Sequence, residues 1–467
     1  MIWGDVVIRE NNIKSAVYRC VAKAVKQDKI ARKTTKEIDD ITKRVVDDLK
    51  NNSFNFTNAI PQTITKHGDV RYTKKFDDLL STESVLCQYI RHTLDKTLKV
   101  TYPNRNKMVN ELFNTINAIL TMSDFTIFRF DFKDYFNTVS AEYVFERHVK
   151  DKMSSRYELD LVRNYVTATK FAYAGLGASN VLAEIIANDF DEVVQTGLSD
   201  RGVLFYARYI DDGIIIFNEH VEEVECKRIV QDALVKVYRD KTIKTSIKCK
   251  TRFNQSKFAH ISKRTLPMGE VPFAYLGYEF FISKNGETAK VEYGITKKKQ
   301  EKYSRKLDAL ILDYINSPQK ADDVELLRHQ IAAFTSRTVY QGTKYKRKIW
   351  KVKGFIANYS ELRFLLESGL IKSNTRSFLK HAVAKSFRKA GLSLPYFLEG
   401  RQKCAYNLYD NMKNKRTILL VQNIGYDESG LISLCAKIGI SSFDRNGKKR
   451  GYGNMVREYL ILTKVGY

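Results

Sequence analysis

Apolar residues recur at intervals of three and four between positions 181 and 195. Val181, Leu182, Ile185, Ile186, Phe190, Val193 and Val194 therefore share one face, and a helix is predicted there. Ser179 and Asn180 just before it are residue types that cap helix N-termini. Residues 125–132 (FTIFRFDF) are β-branched and aromatic with period-two features, which predicts a strand. Residues 203–217 (VLFYARYIDDGIIIF) form two β-rich arms around Asp211-Asp212-Gly213, and an Asp-Gly pair between such arms predicts a hairpin turn there.

The last third reads as helical. Over 297–316, Tyr303, Leu307, Leu310, Ile311, Tyr314 and Ile315 fall on one face, and Pro318 ends the pattern. Over 376–390, Phe378, Leu379, Ala382, Val383 and Phe387 repeat it, with Gly391 placed to terminate the helix. Lysines and arginines occupy the opposite faces of both helices, either as solvated surface or as a lining for a nucleic-acid strand.

Charge sharpens that choice. The chain has 467 residues, with 79 Lys and Arg against 53 Asp and Glu, a net charge of +26. From Lys297 onward there are 34 basic and 14 acidic residues, so most of the excess lies in the last third. A chain this basic points to a polyanionic partner, nucleic acid first, held along the C-terminal part. Hydrophobic residues at 43% supply a sizeable core and argue against disorder. The six cysteines are scattered with no CxxC, which fits neither a zinc ribbon nor a disulfide framework and suits a reducing compartment. No N-terminal signal pattern is present, and the longest apolar stretches are far too short to span a bilayer, so no membrane partner is expected. The seven histidines show no metal-like clustering, and there is no GxxxxGK[ST] loop.

Aspartates stand where two predicted strands end: Asp131, in Phe130-Asp131-Phe132-Lys133-Asp134-Tyr135-Phe136, and Asp211-Asp212 after Tyr209-Ile210. Nucleotidyl transfer uses two magnesium ions about 3.5–4 Å apart, bridging the attacking and leaving oxygens. Magnesium takes hard oxygen ligands, usually one or two carboxylates plus substrate phosphates. Two adjacent aspartates repel each other unless a cation offsets them. Asp-Asp-Gly is also an ordinary turn sequence, and a strand-end aspartate upstream is what turns the pair into a candidate metal site.

Taken in order, these segments resemble the reverse transcriptase family. Tyr209-Ile210-Asp211-Asp212 resembles its YxDD box, and residues 131–136 its first palm motif, an aspartate followed by an aromatic pair. Gly175-Leu176-Gly177-Ala178-Ser179 resembles the segment that opens the palm helix, and Phe273-Ala274-Tyr275-Leu276-Gly277-Tyr278 the primer-grip box. More narrowly, the chain is similar to the bacterial abortive-infection reverse transcriptases of AbiA and AbiK type, prophage-encoded relatives included. The features are Arg105-Asn106-Lys107 ahead of the first palm motif, the divergent second motif and the long basic C-terminus. Ala174 stands where retroelement enzymes carry glutamine, and Asn180 where they commonly carry proline, in a segment that contacts template and nucleotide in the family.

The resemblance implies an α+β fold, a right-hand polymerase with fingers and palm over 1–295. An all-α helical domain, of helical-repeat kind, would follow over 296–467 in place of a thumb. It implies magnesium-dependent DNA synthesis from dNTPs in phage defence, without a template and primed on a protein hydroxyl. The DNA product would be attached to the protein, and the enzyme would be a homo-oligomer of the bacterial cytoplasm. The alternative is an RNA-templated enzyme of retron or group II intron type, and a rival of another class is a polymerase fold that only binds nucleic acid.

By the same resemblance, Asp131, Asp211 and Asp212 hold the two-magnesium site, with the Phe132 carbonyl as a further ligand. Phe136 is the ring that occupies the space of a ribose 2′-hydroxyl, core packing being its other reading. Arg71, after the turn-like Lys66-His67-Gly68-Asp69, grips the triphosphate, or is a solvated surface residue. Gly175 and Ser179 shape the nucleotide floor, or serve as loop and helix cap. Lys257 protonates pyrophosphate, with Lys250 competing for the role. The 27 tyrosines leave the priming hydroxyl open.

Overall fold

The computed structural model describes residues 10–26, 30, 33–66, 69–344, 347–444 and 447–465. The chain forms two compact units: Met1–Met108 with Met122–Thr265, and Val109–Thr121 with Leu266–Tyr467.

In the first unit, β1 (Ile60–Lys66) and β2 (Asp69–Lys75) pair antiparallel from Ile60↔Lys75 to Lys66↔Asp69. A second, four-stranded sheet contains β3 (Thr126–Asp131), β4 (Val203–Tyr209), β5 (Asp212–Phe217) and β6 (Ala259–Ser262), in the order β4-β5-β3-β6 with every pair antiparallel. Ile214, Ile215, Ile216 and Phe217 of β5 are all fully buried, as are Phe128 and Phe130 of β3. Burial on both faces explains why these strands read as nearly continuous apolar runs rather than as clean alternation.

One face of this sheet carries the helices Ser179–Gly197 and Glu223–Tyr238, which pack on each other. Phe190 of the first meets the rings of Phe130 and Phe132 at centroid distances of 6.1 and 5.2 Å. The expected helix over 181–195 is present, but its capping differs from the expectation. The residue preceding it is Ala178, with no side-chain cap, and Ser179 is the first helical residue. The Ser179 hydroxyl donates instead to the Tyr173 carbonyl, 2.5 Å away.

The second unit holds the antiparallel meander β7 (Val271–Tyr275), β8 (Tyr278–Asn285) and β9 (Thr288–Ile295). Phe113 explains why residues 109–121 belong with it: its ring stacks on Tyr293 at 4.9 Å and meets Tyr278 and Phe280 edge-on. The same meander moves the division between units from the expected 295/296 to 265/266. The expected helices are found at Lys297–Ile315 and Ser373–Lys389, with Gly391 in a left-handed conformation after the second (φ 71°).

The C-terminal part is not all-α. It contains a three-stranded sheet, ordered β11-β10-β12, of β10 (Arg337–Lys344), β11 (Arg347–Lys353) and β12 (Thr417–Leu420). β10 and β11 alternate in side chain with period two, and β12 joins β10 in parallel through Val339↔Leu419. That last pairing is about 80 residues distant along the chain, so no local pattern announces it. Among the described residues, no helix is long and apolar enough to cross a membrane.

Candidate active site

Pairing of the central strands gathers the three aspartates at one end of the four-stranded sheet. Asp131, the last residue of β3, lies directly opposite Asp212, the first of β5, and Asp212 also pairs with Tyr209 of β4. The Phe132 amide donates to the Asp211 carbonyl at 2.9 Å, which ties the β4–β5 turn to the end of β3. The Asn254 amide closes the other side by donating to the Asp131 carbonyl at 2.7 Å.

The turn lies one step earlier than the sequence predicted. Ile210 and Asp211 form it, and Gly213 is inside β5 opposite Phe130. The glycine is needed for a different reason: a Cβ at 213 would stand 2.1 Å from the Phe130 ring. Ile210 takes the left-handed conformation instead (φ 61°). A β-branched residue there is strained by on the order of 1–3 kcal/mol, so the surroundings must hold it.

Arg208 does so. Its Nη1 donates to the Ile210 carbonyl at 2.8 Å, its Nε to Asp191 Oδ1 at 2.8 Å and its Nη2 to Glu184 Oε2 at 3.1 Å. The Tyr206 hydroxyl donates to the same Asp191 oxygen at 2.7 Å. Arg208 is buried, and its two carboxylate neighbours hold its charge firmly on. Burial pushes the Glu184 carboxyl up, with Arg208 opposing. Sequence reasoning missed this cluster. The available signal was an arginine inside a β-rich arm, with Glu184 and Asp191 seven residues apart on one side of the apolar helix.

Two cations meet the aspartates. Lys257 Nζ lies 2.8 and 2.9 Å from the two oxygens of Asp131, whose side chain is 5% exposed, while Lys257 itself is 47% exposed. Arg129 Nε lies 2.9 Å from Asp212 Oδ1. Burial still pushes the Asp212 carboxyl up to about 6, against Arg129 and with help from Asp131 and Asp211. Asp211 is raised by burial first and by Asp131 second, with Lys257 and Arg71 pulling it back.

The other expected residues fall around this centre in different ways. Arg71, on β2 opposite Ile64, is exposed and within electrostatic range of Asp211. His67 and Gly68 of the turn before it lie outside the described residues. Phe136 is half-buried on the short helix Tyr135–Thr138, its ring 5.9 Å from that of Tyr135. Gly175 has a left-handed backbone (φ 104°), and a Cβ there would lie 2.3 Å from the Lys74 carbonyl. The Lys74 amide donates to the Ala174 carbonyl at 3.0 Å, so this loop runs against β2. Ser179 is 2% exposed with its hydroxyl used on Tyr173, which makes it a brace for that loop rather than a surface. Of the two candidate lysines, Lys257 meets Asp131, whereas the Lys250 ammonium lies over the Phe171 ring, 5.6 Å from its centroid.

Beside the loop is a cavity of about 490 Å³ lined by Arg19, Lys23, Lys75 and Arg91 together with Gly175, Gly177 and Asn180. No local pattern announces it, because its four cations come from three separate elements.

Among the described residues, no group of three or more His, Cys, Asp or Glu side chains stands ready to hold a metal ion. Asp131 and Asp212 turn to Lys257 and Arg129 instead. The donor chemistry nevertheless suits magnesium: three carboxylates on adjoining backbone positions, Asp131 buried and Asp211 and Asp212 half-buried, repel one another and are hard oxygen ligands whose repulsion a divalent cation would relieve.

No protein-family profile matches the sequence, and no curated protein matches it. Among solved structures, the chain is similar to telomerase from Candida albicans in complex with a TWJ fragment of telomeric RNA. The identity is 10% and the TM-score 0.40, over 82% of this chain and 62% of that one. This chain therefore spans about three fifths of that protein's length. A likeness of that extent leaves function to be argued from the residues of the chain itself.

Proposed function

We propose that the chain is a nucleotidyltransferase of the reverse transcriptase family, building DNA from dNTPs with magnesium. The observation that carries the reading is the placement of Asp131 opposite Asp212, with Asp211 in the adjoining turn, at one end of an antiparallel sheet backed by two helices.

Asp131, Asp211 and Asp212, with the Phe132 carbonyl, would hold the magnesium. Bound there, it offsets the charge on the reacting phosphate and the attacking oxygen. Lys257, half exposed and 2.8 Å from Asp131, would donate a proton to the leaving pyrophosphate. Arg71 presents a guanidinium for bidentate phosphate contact. Gly175 lets the loop approach β2 without a side chain in between. The Phe136 ring, at the start of the helix that follows Asp131, would exclude a ribose 2′-hydroxyl.

The first unit would then act as fingers and palm, and the C-terminal region would hold nucleic acid. The narrower reading rests on resemblance to the AbiA and AbiK type: template-independent, protein-primed synthesis in bacterial phage defence by a cytoplasmic homo-oligomer. One observation favours the templated alternative of retron or group II intron type. The basic cavity beside Gly175 has the charge to seat a strand's phosphates, four cations with no acidic residue in its lining.

The test is incubation of purified protein with labelled dNTPs and magnesium, with and without added primer-template, followed by denaturing gels before and after protease. Label retained on the protein without template supports the narrower reading. Strict dependence on primer-template supports the alternative, and no incorporation in either arm overturns both.

A further inference from the structure

Residues 337–353 contain seven basic residues and no acidic one. Of these, Arg337–Lys344 and Arg347–Lys353 form the antiparallel ribbon β10–β11, and β11 lies at the edge of its sheet, paired along one side only among the described residues. Edge strands commonly carry lysine, because charge discourages pairing with another chain. Charge alone therefore says little about this ribbon.

Trp350 says more. It is one of two tryptophans in the chain, and it is 54% exposed on the middle of β11. Val352, on the same face, is 41% exposed, and Lys348, the neighbour on the other side, is exposed too. Opposite Trp350 across the ribbon is Gln341, also exposed. A guarded edge has no use for an open indole. Pairing alternation places Ile349, Lys351 and Lys353 on the opposite face of β11, so the cation beside the indole on its own face of the strand is Lys348.

We propose that this ribbon binds single-stranded nucleic acid, with bases stacking on Trp350 while Lys348 and its basic neighbours meet the phosphates. An aromatic face accepts any base, and surrounding cations track the backbone without reading sequence. The inference deepens the proposed function by naming the form of its nucleic-acid partner, and it relies on that reading only for which strand is bound.

The full chain carrying Trp3→Phe leaves Trp350 as the sole fluorescent indole. Titration with a short oligo(dT) should quench its emission, with affinity falling as salt rises. Trp350→Ala should weaken binding, followed by anisotropy of a labelled oligo, by roughly 5- to 100-fold. Trp350→Phe should keep part of it, and Lys348→Glu should weaken binding and flatten its salt dependence. Because Trp350 is open to solvent, these variants should melt as the parent does.

Oligo binding with unchanged Trp350 emission would overturn the proposal and leave the polymerase reading standing. Quenching by a chain that incorporates no dNTP would do the reverse. Emission that shifts with protein concentration alone, together with a dimer in sedimentation, would make the ribbon an interface between copies and also overturn it.

Discussion

Arg208 Nη1 donates to the Ile210 carbonyl over 2.8 Å from a side chain that is 1% exposed. The turn that presents Asp211 is thus held from beneath by a buried cation, itself balanced by Glu184 and Asp191. Removing that cation leaves Glu184 buried without its partner. Arg208→Met is expected to cost about 3–5 kcal/mol, and adding Glu184→Gln should recover part of it. Urea unfolding of the single and double variants measures both, and a loss under about 1 kcal/mol would contradict the clamp.

Gly213→Ala places a methyl carbon against the Phe130 ring. The expected loss is about 1–3 kcal/mol from overpacking. Phe130→Leu in the same chain should offset it, since the shortened side chain opens the space. If the double variant is no more stable than the sum of the singles predicts, the ring is not what excludes a side chain at 213.

Asp211→Asn separates stability from activity. Burial and repulsion from Asp131 both disfavour the charged carboxylate, so the amide should leave the melting temperature unchanged or higher. Nucleotide incorporation should fall by roughly 10²-fold or more, since a neutral amide is a poor magnesium ligand. Retained incorporation would remove Asp211 from the metal site.

Phe136→Ala is expected to admit ribonucleotides. Competition between dNTP and NTP, read as the ratio of their kcat/KM values, should shift toward NTP by about tenfold or more. If both rates fall together, the ring packs in the core and does not screen the sugar.

His329 supplies a pH dependence away from the aspartates. Its ring is buried, with Nδ1 3.2 Å from the Tyr459 hydroxyl and Arg328 alongside. Burial, then Arg328, pushes its pKa down to about 4 from an ordinary 6.5, with Glu325 opposing and Lys437 adding. The unfolded chain therefore takes up this proton near pH 6.5 and the folded chain only near pH 4. Stability is full above about 6.5 and is lost as pH falls through that window, by roughly 3 kcal/mol in all. Melting of His329→Gln between pH 7 and pH 4 should decline less steeply than the parent, and equal slopes would contradict a buried neutral ring.

Local pattern determined a good deal by itself. The helices at 179–197, 297–315 and 373–389 follow from period-3.6 apolar faces, and β3, β4 and β5 from β-branched and aromatic runs. The aspartates at strand ends were legible for the same reason: they interrupt apolar runs. Short-range reasoning failed wherever a residue answers to a distant one. Gly213 looked like a turn residue, but Phe130 dictates it; Ser179 looked like a cap, but its hydroxyl belongs to Tyr173. The C-terminal sheet was hidden because β12 meets β10 only after about 80 intervening residues, and Arg208 gave no hint of its two carboxylates before strand and helix packed. Periodicity records which face of an element is buried. Only the folded chain decides what that face is buried against, because side-chain contacts across the core depend on register and packing that no local spacing encodes.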